Sequence, residues 1–181
     1  MTKNQKTDSK FPKVYLRRAL PDDFEELARL HKASRKHLSG LASTSYDRAK
    51  FDQMLSDGAS DSNEHFLICR NEDNAIVGQI NLSQIFRKSF QNAYLGYQLF
   101  SGFTGNGYMT EAVAQTLSFA FGKLGLHRLE ANVQPTNLPS IKVLIRNGFT
   151  KEGFSRRYLK IGGRWRDHER WAIIREDWKK R

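Results

Sequence analysis

The chain has little cysteine and no long apolar run, and both scarcities restrict what it can be. Its 181 residues include one cysteine, Cys69, so an internal disulfide is excluded. Cys69 stands in the apolar run 65–69, where we expect a buried small hydrophobic residue rather than a nucleophile. No apolar run approaches the roughly 20 residues that a membrane-spanning helix needs. Residues 1–13 are polar and lack a signal-peptide core, which predicts a cytoplasmic protein.

Acidic residues are also scarce relative to basic ones. The chain has 19 Asp and Glu against 30 Lys and Arg, a net charge of +11. Many of the cations lie in residues 142–181. A basic chain attracts polyanions, so this C-terminal region could contact nucleic acid or a ribosomal surface. A phosphate-rich cofactor, an acidic protein surface and an ordinary solvated face are the alternatives.

The length and the hydrophobic pattern predict one mixed α/β domain. Residues 1–12 are expected to form a disordered tail, and residues 13–181 a single domain. The predicted order is a strand near 14–16, helices from 21 and over about 46–55, a hairpin turning at 71–74, a strand over 92–100, a helix closed by Gly125, a strand over 127–133, a helix capped by Asn137, and a hairpin turning at 162–163. The strand–helix–strand unit in the middle predicts a parallel strand pair.

The segment 101–112, SGFTGNGYMTEA, joins an alternating strand directly to a helix. It contains Gly102, Gly105 and Gly107. Amides at a helix N-terminus have no partner inside the helix, and together with the helix dipole they attract anions. Glycine lets phosphate oxygens approach the backbone. The segment therefore either holds phosphate groups or only turns the chain.

Two nucleotide-binding motifs do not fit this segment. A P-loop ends in Gly-Lys-Ser/Thr, but Tyr108 follows Gly107. The dinucleotide fingerprint requires a third glycine where Thr110 stands, and its unit usually comes first in the domain rather than after a hairpin. Glu130 has a suitable spacing to bind a ribose, but these residues do not otherwise support that use.

The segment does resemble the acyl-CoA pyrophosphate loop of the GNAT N-acetyltransferases, written Arg/Gln-x-x-Gly-x-Gly/Ala. Residues 124–153 are similar to the next strand, helix and closing "GF" of that family, and YLKIGGRWRDHERWAII resembles the last hairpin of its RimJ/RimL subgroup. The resemblance implies a mixed, mostly antiparallel central sheet with a splayed parallel strand pair and flanking helices. It also implies acetyl-CoA as co-substrate, with no metal.

The resemblance further implies the residues that bind the cofactor. The backbone of a strand would bind the pantetheine arm, loop amides would bind the pyrophosphate, and a helix cap would contact the arm. These residues are Gln98, Leu99, Phe100, Thr104, Gly105, Asn106, Gly107, Tyr108, Met109 and Asn137. Thr104 stands where the family usually has Arg or Gln, so one phosphate contact is weaker or made by a hydroxyl.

Catalytic residues follow less directly. Leu144 replaces a tyrosine acid that many members use, and Ser140 aligns with a serine of the RimL branch. We predict that Ser140, with Asn137, hydrogen-bonds the departing sulfur; a local backbone bond is its alternative role. The remaining candidate bases are Glu130, Glu152, Asp167 and His168. Of these we assign Glu130 to the site, with ordered water as an alternative because an α-amine has a pKa of about 7.7–8.0.

Three functions follow from this reading. The first is acetyl transfer to the N-terminal α-amine of a protein, with a ribosomal protein that begins with alanine as the expected acceptor. The second is transfer to a polyamine or an antibiotic, and the third is a non-catalytic module that binds acyl-CoA or nucleic acid. Residues 31–45 are expected to form a wall of the acceptor site. The chain could be a monomer or a homodimer.

Overall fold

The computed structural model describes residues 12–41, 46–58 and 60–180. Residues 1–11 of the predicted disordered tail lie outside the described residues, as do residues 42–45 of the predicted acceptor wall. The described residues contain seven strands, and all seven belong to one sheet.

The strands and helices alternate largely as predicted. The strands are β1 Val14–Arg17, β2 Glu64–Arg70, β3 Ile76–Phe86, β4 Asn92–Leu99, β5 Arg128–Val133, β6 Thr150–Ile161 and β7 Arg164–Ile174. The helices are α1 Phe24–Leu38, α2 Arg48–Asp57, α3 Tyr108–Ser118, α4 Leu138–Arg146 and α5 Arg175–Lys179. A 3-10 turn precedes α1, and a π-helical turn, Phe119–Lys123, extends α3. Gly125, just beyond this turn, has a φ of +67°, as its predicted role in closing the helix requires.

Two features differ from the prediction. The second helix runs from Arg48 to Asp57 rather than over 46–55, because Asp47 caps it: the Asp47 carboxylate accepts the Lys50 amide at 3.0 Å. Helix α5 was not predicted, because its five residues are too few to show a helical period.

The sheet has the order β1-β2-β3-β4-β5-β7-β6, and β4 with β5 is its parallel pair. All other neighbours are antiparallel, which confirms the predicted fold class. The parallel pairing covers three positions and ends at Tyr94 opposite Glu130. Beyond that point β4 and β5 diverge, so the backbone edges of both strands border an opening in the sheet.

Apolar residues bury both faces of the sheet. One core lies under α3 and α4, where Val113, Leu117, Phe121 and Leu144 are buried. A second core lies under α1 and α2 and includes Leu27, Phe51, Phe100 and Cys69. Cys69 is fully buried, as predicted, and burial raises the pKa of its thiol. The two helical layers therefore stand on opposite faces of the opening.

Candidate functional site

A cavity of about 510 Å³ fills the opening between β4 and β5. Its lining comes from many separate elements of the chain. The lining includes Gly96, Tyr97 and Gln98 of β4, Asn132 and Val133 of β5, Asn137 at the start of α4 and Ser140 within it, Ile161 and His168 of the last hairpin, and His31, Leu41, Tyr46, Lys50 and Gln79. Because the cavity passes between two splayed strands, it is open to both faces of the sheet.

The glycine loop lies at the end of β4 that borders the opening. Gly102, Gly105 and Gly107 have φ values of +90°, +84° and +82°, the left-handed region that favours glycine. A Cβ placed on any of the three would meet no other atom within 4 Å. The glycines are therefore required by the turn, and they leave open space beside the backbone where a ligand can approach.

Helix α3 presents its first amides at this loop. The first helical bond runs from the Glu111 amide to the Gly107 carbonyl at 3.2 Å, so the amides of residues 108–110 precede it. A hollow beside them is lined by Lys13, Arg146 and Glu111, among others, so its lining carries charges of both signs. The Lys13 ammonium donates to the Asn106 carbonyl at 3.4 Å. The amides that precede the first helical bond and the helix dipole favour an anion at the helix N-terminus.

In the strand leading into the loop, some backbone groups bond to β3 and others face the opening. The Phe100 amide donates to the Val77 carbonyl of β3 at 2.9 Å, and the Phe100 side chain is fully buried. Neighbouring residues of a strand point their backbone groups to opposite edges. Of the three strand residues predicted to bind a cofactor, Leu99 is thus the one whose backbone faces the opening, while Gln98 contributes its side chain to the cavity.

Asn137 and Ser140 meet the cavity at the start of α4. The Asn137 side-chain oxygen accepts the Ser140 amide at 3.3 Å, which confirms the predicted cap. The Tyr97 hydroxyl donates to the Ser140 carbonyl at 3.1 Å, and burial raises the pKa of Tyr97. Across the described residues, no protein group is hydrogen-bonded to the Ser140 hydroxyl itself. That hydroxyl is consequently available to a ligand.

The predicted carboxylates do not line the cavity. Glu130 accepts from Arg128 Nε at 2.9 Å and from Asn92 Nδ2 at 3.2 Å. It stands where β4 and β5 are still paired, on the closed side of the opening. Glu152 is paired with Arg128, and Asp167 accepts the Arg157 amide at 2.7 Å. The structure therefore does not bring Glu130 together with Ser140 and Asn137.

His168 is the remaining predicted base, and it does line the cavity. Its residue is only 3% exposed, and Nδ1 lies 3.0 Å from the Arg166 carbonyl. Because a carbonyl only accepts, Nδ1 carries the proton of this bond. In a ring with one N–H, Nε2 is then the nitrogen that carries the lone pair.

A further set of side chains forms the wall near α1, and of these Tyr46 and Gln79 were not identified from the sequence. His31 stacks on Tyr46 with ring centres 3.9 Å apart, and its Nε2 donates to Gln79 Oε1 at 3.0 Å. Gln98 Nε2 donates to the same oxygen at 2.8 Å. Burial lowers the pKa of His31 and raises that of Tyr46 to about 12. The only local signal was a histidine at an apolar helical position of α1.

The predicted acceptor wall is present in part. His31 and Leu41 line the cavity, and Gln134 Nε2 donates to the Gly40 carbonyl at 2.6 Å. This bond links the end of α1 to the segment after β5 across the opening. The wall is thus built from residues far apart in the chain.

The charge of the cavity is one-sided. Among the described residues that line it there is no Asp or Glu, and Lys50 is the lining residue with a permanent charge. In the ranges 12–41, 46–58 and 60–180, no cluster of His, Cys, Asp and Glu could hold a metal ion. Over the same ranges, no helix is long and apolar enough to cross a membrane. A polyvalent cation would find no counter-charge in the cavity.

Comparison with known proteins agrees with this geometry. The acetyltransferase (GNAT) domain matches residues 13–150. The probable N-acetyltransferase YjcK of Bacillus subtilis is 44% identical over 117 residues, 65% of each chain. The ribosomal protein uS5-alanine N-acetyltransferase of Escherichia coli is 38% identical over 107 residues, 59% of this chain and 55% of that protein. The chain thus matches between about half and two thirds of these relatives' length.

Solved structures extend the likeness over nearly the whole chain. Mycobacterium smegmatis RimJ in complex with CoA-disulfide has a TM-score of 0.83 and 32% identity, covering 90% of this chain and 82% of that one. The ribosomal-protein-S5-alanine acetyltransferase of Vibrio fischeri has a TM-score of 0.81 and 29% identity, covering 93% and 96%. Spermidine N-acetyltransferase of Vibrio cholerae, at 0.79 and 18% over 92% and 98%, shares the fold alone.

Proposed function

The chain belongs to the GNAT acetyltransferase family, and on that premise we propose that it transfers acetyl from acetyl-CoA to the N-terminal α-amine of a protein. The leading acceptor is a ribosomal protein that begins with alanine, which would place the reaction in the cytoplasm. One observation carries the proposal. The opening between β4 and β5 has the N-terminus of α3 at its edge, and the described residues that line its cavity include no Asp or Glu.

Acetyl-CoA fits the side of the opening formed by the loop and α3. The amides of residues 105–109 would bind the pyrophosphate, helped by the dipole of α3. The Leu99 backbone and the Asn137 side-chain Nδ2 would bind the pantetheine arm, and the exposed Thr104 would offer a hydroxyl to one phosphate. The M. smegmatis relative, 32% identical, supports CoA as the ligand.

The reaction needs one proton removed and one supplied. The amine lone pair attacks the thioester carbon, the C–S bond breaks, and the sulfur leaves with the electron pair. We assign the amine proton to His168 Nε2 rather than to Glu130, because His168 lies at the cavity and Glu130 does not. The Ser140 hydroxyl would donate a hydrogen bond to the departing thiolate, which takes its proton from solvent while the proton held by His168 returns to solvent. An α-amine with a pKa of about 7.7–8.0 has a substantial neutral fraction at pH 7, so this base need not be strong.

The absence of acidic groups in the described cavity lining bears on the acceptor. Polyamines carry several ammonium groups, and binding them in a cavity without carboxylates would leave buried charges unpaired. A peptide terminus brings a single amine that reacts in its neutral form. Two relatives, at 38% and 29% identity, carry names that specify a ribosomal-protein alanine, and they support the acceptor proposed here.

The test is thiol release from acetyl-CoA with four acceptor conditions. These are a peptide with a free N-terminal alanine, the same peptide N-terminally blocked but carrying lysine, spermidine, and no acceptor. We expect turnover with the free α-amine alone. Turnover with spermidine or with the blocked peptide would contradict the proposed acceptor. CoA binding without turnover on any amine would favour a non-catalytic acyl-CoA module.

A further inference from the structure

Strands β6 and β7 extend beyond the rest of the sheet as a two-stranded arm, residues 154–168. Strand β5 pairs with β7 only as far as Val133 opposite Glu169. Past that point β7 pairs with β6 alone, up to Ile161 opposite Arg164 and the turn at Gly162 and Gly163. Among the described strands, none pairs with either outer edge of the arm, and one face of the arm, that of Ile161 and His168, lines the cavity.

The arm carries more positive than negative charge. Residues 154–168 contain five basic residues, Arg156, Arg157, Lys160, Arg164 and Arg166, and one acidic residue, Asp167. Within the described ranges, none of these five cations forms an ion pair. Glu152 is paired with Arg128 and Glu169 with Lys151, while the Asp167 carboxylate accepts the Arg157 amide and keeps its charge. Five cations against one carboxylate leave the arm with a net positive charge.

Large aromatic side chains are exposed on the arm, and Trp165 stands between Arg164 and Arg166 along β7, so its ring lies on the opposite face from those two cations. Trp165 is 61% exposed, Phe154 49% and Tyr158 36%. Lys160 lies opposite Trp165 in the β6–β7 register, so the cation and the indole share one face. An exposed Trp on a solvated hairpin contributes nothing to the protein core, which suggests that it serves an external contact.

We propose that the arm binds single-stranded RNA. Cations that follow a phosphate backbone, with aromatic rings on which unpaired bases stack, are the features of surfaces that hold single strands. A second copy of the chain is a poorer occupant, because two arms of the same charge repel each other. The choice of RNA over DNA rests on the proposed ribosomal acceptor; the cations and rings do not depend on it.

The arm also adjoins the acceptor cavity. Ile161 and His168, at its tip and base, are among the cavity-lining residues. RNA held on the outer part of the arm would bring a neighbouring protein terminus close to the opening. Binding RNA there would thus raise the local concentration of an acceptor that belongs to a ribonucleoprotein.

The test is fluorescence anisotropy of the full-length protein with a labelled 12-nucleotide single-stranded RNA, without acetyl-CoA, over a range of salt concentrations. The arm variant Arg156→Gln/Lys160→Gln/Arg164→Gln is compared with Lys32→Gln/Arg35→Gln/Lys36→Gln, which removes the same charge from exposed positions of α1. We expect the arm variant to bind at least tenfold more weakly. The slope of log K against log salt should become shallower by about 2, at roughly 0.7 per lost phosphate contact.

One further variant tests the contribution of the exposed indole. Trp165→Ala should weaken RNA binding by about tenfold while leaving the salt slope unchanged, because it removes stacking and no charge. The α1 variant should change affinity by less than about twofold.

Three outcomes would overturn the proposal: an equal loss in both charge variants, tighter binding to single-stranded DNA of the same length, or a wild-type dimer that Trp165→Ala dissociates. Acetyl transfer to a free peptide is measured separately, so a failure of the proposed function would show there and leave the anisotropy intact.

Discussion

Backbone forms one side of the opening between β4 and β5, and side chains form the other. The side at the glycine loop is backbone from one continuous segment, 99–110, with Asn137 added from α4. The opposite side is side chains from α1, α2, β3, β4 and the arm, among them His31, Gln79 and His168. A backbone site tolerates many side chains but depends strictly on chain conformation. A side-chain site depends on each residue separately.

This difference predicts that substitutions divide according to the reactant they affect. Changes in the loop should weaken the affinity for CoA and leave acceptor selectivity intact. Changes on the opposite side should lower the rate constant or alter the acceptor while CoA still binds.

Gly107→Val should reduce CoA affinity by at least 100-fold, because a side chain would fill the open space beside the loop and oppose a φ of +82°. Isothermal titration with CoA measures this effect. Gly125→Val is the matched control: Gly125 also has a positive φ, +67°, and open space around it, but it lies at the other end of the helix. If both variants lose the same affinity, the loop has no special part in CoA binding.

His168→Gln should lower kcat on the order of 10²-fold with the KM for acetyl-CoA within about twofold, because it removes the proposed proton acceptor and no cofactor contact. Steady-state kinetics with the alanine peptide over pH 6–9 measure both constants. His127→Gln, an exposed histidine near Glu176, is the control and should behave as wild type. An unchanged kcat in His168→Gln would show that water, rather than His168, accepts the amine proton.

Ser140→Ala should lower kcat by about tenfold, because it removes one hydrogen bond to the leaving sulfur. The fold should survive, since the Asn137 cap is made to the Ser140 amide rather than to its hydroxyl. Ser118→Ala, which removes a hydroxyl bound to the Ala114 carbonyl on α3, is the control. Unchanged transfer by Ser140→Ala would remove that residue from the mechanism.

The smallest effect concerns stability and pH. Burial lowers the pKa of His31, so the unfolded chain binds its proton more tightly than the folded protein does. Stability from this group is therefore complete above its unfolded pKa of about 6.5 and is lost as pH falls below that value. The melting temperature should drop by about 2–4 °C for each kcal/mol lost between pH 7 and pH 5.5.

His31→Phe should make that pH dependence weaker without abolishing it, since burial also lowers the pKa of His65. If His31→Phe keeps the wild-type dependence of melting temperature on pH, His31 does not contribute to that dependence. His37→Phe, at an exposed position of the same helix, is the control and should keep the wild-type slope.

The difference between the backbone side and the side-chain side also explains how much of the site could be predicted from the sequence. Gly105, Gly107 and the Asn137 cap are local signals, because a turn and a helix start depend on adjacent residues, and they predicted the loop side of the opening. The parallel strand pair followed from the strand–helix–strand order. The mixed sheet was also predicted from the order of elements. Helix α5 and the bounds of α2 were not.

The other side depends on contacts that no local pattern contains. Whether Glu130 faces the cavity is decided by where β4 and β5 separate, and they separate just after it. His31, Gln79 and Gln98 come from three elements and meet only after folding. The charge of the arm is visible in the sequence, but its projection depends on β5 ending at Val133.

Hydrogen–deuterium exchange with and without CoA reports on the backbone amides of both sides of the opening at once, and so shows which side holds the cofactor. We expect CoA to protect the amides of residues 105–109 and the first turn of α3, while exchange in α1, α2 and the arm stays unchanged. Protection confined to α1, α2 or the arm, with residues 105–109 exchanging as in the free protein, would contradict the account.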